Sequence, residues 1–158
     1  MPIVHFTEYD ARQLILARKF TFRVVRDTTR SDATNSEKKL VYDVRRKDMP
    51  KRDNNLRLCI RLAPSIPGVP KPMPGMSLQW KGTPIRKVDW ALRHASIQSG
   101  VPVVYIKGWH EHIWTDEDQG KYTVPVEPPL KGCDIQSLTR WAAEKWNIEM
   151  GEPEQFDL

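Results

Sequence analysis

No apolar run in this chain of 158 residues approaches the roughly 20 that a membrane-spanning helix needs. The opening Met1-Pro2-Ile3-Val4-His5 also lacks the basic-then-apolar order of a secretory leader. Cysteine is scarce. Cys59 and Cys133 stand far apart and form no CxxC pair, so two thiols in a cytoplasmic protein are expected rather than a disulfide framework. No segment repeats. Hydrophobic residues make up only 39%, yet six Trp, four Tyr and four Phe supply bulk for a real core and exclude a wholly disordered chain. The length fits one domain, 1–158.

Charge is unevenly spread. Residues 1–79 carry a net +8 and residues 80–158 a net −3, within an overall +5. The densest basic piece, Arg45-Arg46-Lys47-Asp48-Met49-Pro50-Lys51-Arg52, holds five cations and one acid in eight residues. Such a piece attracts phosphates, because each neutralised phosphate releases condensed counterions. It is equally what a solvated loop carries for solubility.

Thr7 with Asp10 resembles a capping box, and Ala11, Leu14, Ile15 and Arg18 follow at helical spacing, which predicts a helix over 8–18. Alternation predicts strands at 20–25, 40–44, 56–62, 76–80, 85–94, 101–114 and 122–126. In the third, Leu56, Leu58, Ile60 and Leu62 face the core while Arg57, Cys59 and Arg61 point away. Asp134 suits the N-cap of a helix with Ile135, Leu138, Trp141, Ala142, Lys145 and Trp146 on one side. Mobile loops are expected at 27–39, 45–54 and the proline-rich 64–75, and a frayed acidic tail at 149–158. The fold class is α+β, an antiparallel sheet meander with an N-terminal and a C-terminal helix.

Chemistry concentrates in one region, 88–114, with three of the four histidines. On an extended strand His110 and His112 project from one face about 7 Å apart, with Gly108 clearing space beside them. On the preceding strand regular alternation places Asp89 with Arg93 on one face and His94 on the other. Bringing Arg93 and His94 together requires a bulge near 93. Two imidazoles can serve as general base and acid near neutral pH, and an arginine beside them suits RNA phosphodiester cleavage without metal or cofactor. Catalytic candidates are therefore His110, His112, Arg93, Asp89 and His94. Candidate nucleic-acid contacts are Arg45, Arg46, Lys47, Lys51, Arg52, Arg57 and Arg61. The rival reading is a metal site, since His-x-His on a strand offers two ligands that Asp89, His94 or Glu117 could complete. The cupin metal motif shares the order His110, His112, Glu117, but its flanking glycines and second histidine motif are absent.

The string Asp89-Trp90-Ala91-Leu92-Arg93-His94, then Gly108-Trp109-His110-Glu111-His112-Ile113-Trp114, then Trp141 to Ile148, resembles a small uncharacterised prokaryotic family with a DWxLRH…GWHEHxW signature. The resemblance covers about 76–148. More distantly, the order Asp, His-x-His, strand, terminal helix resembles TumE-type toxins of toxin–antitoxin pairs. That resemblance implies a RelE-like small domain, ribonuclease-like activity at Asp89, His110 and His112, and a cognate antitoxin partner. The sequence thus supports three readings: a metal-independent ribonuclease toxin acting on RNA, a metal-binding hydrolase, and a non-catalytic basic interaction protein.

Overall fold

A computed structural model describes residues 6–27, 38–48, 55–62, 74–118, 121–126 and 135–151. The elements run α1 (Glu8–Leu16), β1 (Lys19–Asp27), β2 (Lys38–Arg46), β3 (Leu56–Leu62), β4 (Gly75–Trp80), β5 (Thr83–Ser96), β6 (Val104–Ile113), β7 (Tyr122–Pro125), α2 (Ile135–Lys145) and β8 (Ile148–Glu149). The eight strands form one sheet in the order β7-β6-β5-β4-β3-β2-β1-β8. Every pairing is antiparallel except that of β8, which lies parallel to β1. The α+β meander between two helices is therefore present. Among the described residues no helix is long and apolar enough to cross a membrane.

Local chemistry accounts for most of these elements. Thr7 and Asp10 exchange the two hydrogen bonds of a capping box at the start of α1. That helix stops at Leu16, short of the expected 18, because Ala17 is extended and the buried Lys19 ammonium donates to the carbonyls of Leu14, Ile15 and Ala17. Between β4 and β5 the two-residue turn Lys81-Gly82 has positive φ at both positions (49° and 81°), the twist that joins right-handed antiparallel strands.

Alternation along the strands builds two unlike faces. Tyr42 and Val44 on β2, Leu56, Leu58 and Ile60 on β3, Met76 and Leu78 on β4, and Val88 on β5 are buried in one cluster with Ala11 and Leu14 of α1 and Leu138 and Ala142 of α2. The register carries the intervening residues to the other face, including Asp43, Arg57, Cys59, Ser77, Lys87 and Asp89. Several expected boundaries move. β2 extends through Arg45 and Arg46, β5 reaches Ser96, and β6 begins only at Val104, leaving Val101 and Val103 exposed outside it. Glu149, expected in a frayed tail, pairs with Phe20 in β8. Most of the four expected loop and tail segments, and Asp134, lie outside the described residues.

One contact fastens the back of β6. Glu111 is 1% exposed and receives a 2.8 Å hydrogen bond from Trp146 Nε1. Lys145 Nζ stands 3.0 Å from its Oε1 and Arg86 Nε 4.0 Å from its Oε2. A buried carboxylate persists only with such partners, and removing it strands their charges. Glu111→Ala should cost about 3 kcal/mol or more of folding stability. The check is the urea midpoint at an unchanged m-value, with Glu111→Gln, which keeps an acceptor for Trp146, losing less.

Candidate functional site

His110 and His112 point away from the Glu111 side, because consecutive residues of β6 alternate across the sheet. The register sets Asp89 directly opposite His110 and Lys87 opposite His112. Asp89 Oδ1 lies 2.6 Å from His110 Nε2 and 3.3 Å from His112 Nε2, and Asp89 Oδ2 lies 3.4 Å from Lys87 Nζ. A single carboxylate thus bridges both imidazoles and an ammonium.

His94 arrives by a bulge. Ala91 pairs with Gly108 but His94 pairs with Ile106, so Leu92 and Arg93 together oppose one residue of β6. The extra residue reverses the alternation and brings His94 onto the face of Asp89. Its ring stacks on His110 at 4.3 Å and 14°, and meets His112 edge-on at 4.7 Å. The same shift sends Arg93 to the opposite face, where its guanidinium lies 3.8 Å over the Tyr105 ring. Regular alternation predicted the reverse, Arg93 beside Asp89 and His94 away from it. The bulge separates Arg93 from the cluster instead of uniting the two. Gly108 faces the bulge at φ 94°, a conformation that strains any side chain.

The hydrogen bonding of His110 is the most telling feature. Its Nδ1 lies 3.0 Å from the Gly108 carbonyl oxygen, while its Nε2 faces the Asp89 carboxylate. Both nitrogens therefore meet acceptors. A neutral imidazole has one N–H and satisfies only one of them. With Nδ1–H donating to Gly108, the approach of Nε2 to Asp89 needs a second positive species there, either a proton or a metal ion.

His94, His110 and His112 each offer one ring nitrogen, and the three lie within 4.8 Å of one another. Tetrahedral zinc needs nitrogens about 3.4 Å apart, which follows from Zn–N bonds of about 2.05 Å. His94 and His112 are partly exposed, whereas His110 is sealed at 1% exposure. Burial, then the charges of His110 and His112, hold His94 below the ordinary histidine range. A neutral imidazole is the form that ligates metal. For Asp89 burial alone would raise the pKa, but hydrogen bonds from His110 and His112, then the charges of His110 and Lys87, hold the carboxyl well below its usual range.

The other candidates lie elsewhere. Glu117 is exposed in the segment after β6 and is not part of the cluster. Trp90 and Trp109 pair on the face opposite the histidines, and Trp109 and Trp114 pack against the core. Arg46 pairs with Asp48, Lys47 with Glu149, and Arg45 lies over the Phe22 ring. Arg57 and Arg61 do share the sheet face of the histidines, with Arg57 Nε 3.6 Å from Asp43. Arg61, Gly75 and Asp89 fall in one cross-strand row, which places Arg61 about 10 Å from Asp89 at two strand spacings. Lys51 and Arg52 lie outside the described residues. Lys87, which sequence reasoning passed over, reaches Asp89 of the cluster; its signal was position i−2 to Asp89 on a regular stretch of strand. Beyond β6, a cavity of about 410 Å³ lined by Val104, Ile106, Tyr122, Thr123 and Pro125 adjoins the site.

Because Asp89 is depressed below its ordinary 3.8, its stabilising contribution is complete above that pH and is lost as the pH falls further. Asp89→Asn should therefore flatten the acid limb of stability against pH. An acid limb as steep as the parent's would show that Asp89 carries no such linkage. Compared with known proteins, the chain matches no family model, no curated protein and no solved structure.

Proposed function

We propose that the protein is a metal-dependent hydrolase whose ion is held by His94, His110 and His112, with Asp89 beside it. The observation that carries this reading is His110, whose far nitrogen is already engaged by the Gly108 carbonyl while its near nitrogen faces a carboxylate. A histidine ligand is ordinarily held by its second nitrogen in this way, which fixes the tautomer and aims the lone pair. Burial of His110 suits a ligand better than an acid or base that must reach substrate. Three protein nitrogens with a partly exposed front correspond to a catalytic rather than a purely structural site. An ion there supplies Lewis acidity and lowers the pKa of water. The chain's own part is to orient three rings, keep Asp89 ionised, and offer a neighbouring cavity to a substrate group.

The 2.6 Å contact between Asp89 and His110 favours a second reading, in which a proton occupies Nε2 and the cluster works without metal. His94 would then act as the neutral base toward RNA, in line with the resemblance to TumE-type toxins, a RelE-like domain and an antitoxin partner.

Metal analysis of tag-free protein separates the two. One transition metal ion per chain is expected, with His110→Ala and His94→Ala each losing most of it. Arg93→Ala should keep both the ion and the activity, because its guanidinium lies on the other face. Chelated protein that cleaves RNA undiminished would overturn the metal reading in favour of acid–base chemistry.

A further inference from the structure

We infer that the cavity beside the histidines binds the apolar part of a substrate, an aliphatic or aromatic group of about ten carbon atoms whose polar end reaches the cluster. This names a substrate class for the site above and rests on the metal-centre reading only in calling the ligand a substrate.

The cavity's position supports this. It holds about 410 Å³, and its lining includes Ile106, Pro125 and Thr123. These three stand directly across from His94, His110 and His112 respectively. Residues so paired share one face of the sheet, with Cβ atoms about 5 Å apart. Every histidine of the cluster therefore has the cavity at its side. From Ile106 the lining runs away from the cluster along β6 to Val104, and on to Val101 and Pro102. The walls are held by the protein itself. Ser96 Oγ accepts from the Thr123 N–H at 3.1 Å and donates to the Thr123 carbonyl at 2.8 Å, and the Ile97 N–H donates to the Lys121 carbonyl at 3.0 Å. The end of β5 is thereby clasped to β7.

The lining selects an apolar occupant. Among the described residues its one charged side chain is that of Lys107, which is exposed. Val101, Val104 and Tyr105 of the lining are each about half exposed. With Ile97 and Val103 they make up five of the ten large hydrophobic side chains left exposed among the described residues. Apolar surface concentrated in this way around a hollow is stabilised by whatever covers it. A dry void of about 150 Å³ holds benzene, so this cavity has room for about ten carbon atoms and a polar end. The Thr123 hydroxyl is buried without a hydrogen-bond partner among the described residues, and a polar end entering beside His112 supplies one.

The probes are butan-1-ol, hexan-1-ol and octan-1-ol, neutral chains titrated calorimetrically into zinc-loaded and into chelated protein. Each added methylene should tighten binding about three- to fourfold, so that octan-1-ol binds about a hundredfold or more tightly than butan-1-ol in both preparations. Val104→Asp, at a position 57% exposed, should abolish that gradient with melting temperature and zinc content unchanged. Tyr9→Asp, on an exposed apolar side chain of α1, should leave it intact. Equal affinity for the three alcohols, or a gradient that survives Val104→Asp, would overturn the inference while leaving the metal centre standing. Sedimentation that shows Val104→Asp turning a self-associated protein into monomer, with the gradient intact, would likewise overturn it and make the patch an interface between copies. A Val104-dependent gradient in protein that takes up no zinc would instead remove the metal reading and keep this one.

Discussion

A single extra residue on β5, inserted between Ala91 and His94, governs what the histidine-bearing face of the sheet can hold. Without it the strand would keep His94 among the residues packed toward the helices and set Arg93 beside Asp89. With it three imidazoles gather around one carboxylate and the guanidinium is carried off to Tyr105. The bulge is matched on β6 by Gly108, whose positive φ accommodates the mismatch and whose carbonyl then accepts from His110. Backbone irregularity and side-chain chemistry are thus one device, since the residue that relieves the register also orients the ring.

The two faces of β6 do opposite electrostatic work. On one side Glu111 is buried among Trp146, Lys145 and Arg86, and ties the strand to α2. On the other, two residues flanking it present imidazoles to Asp89. Because alternation is rigid along a strand, immobilising Glu111 also fixes where His110 and His112 stand. The tryptophans of the GWHEHxW string contribute from the packed side, as part of the support rather than as walls of the site.

The basic half of the chain has a more divided role than its charge count implies. Arg46, Lys47 and Arg57 each have an acidic partner within the fold, and Arg45 rests on an aromatic ring. These are surface pairs; Lys47 and Arg57 are exposed, and theirs join β2 and the residue that follows it to β8 and β3. Lys87 lies in the less basic half of the chain, yet it is the cation that shares a carboxylate with the histidines. Position on the sheet, not density along the chain, brings Lys87 to the carboxylate shared with the histidines.

Much was legible from residue order because it depends on neighbours one to four positions apart. The capping box of α1, the core side of Leu56, Leu58 and Ile60, and the common face of His110 and His112 all follow from local sterics and the two-residue period of a strand. The α+β class follows from summing such elements. The bulge, the entry of His94, the loss of Arg93 and the pairing of β8 with β1 depend on which strands lie side by side and in what register. Register is settled by packing the whole apolar face at once, so no short stretch of chain contains it. Residue order therefore determined that two imidazoles would stand together, and only tertiary pairing decided what stands around them.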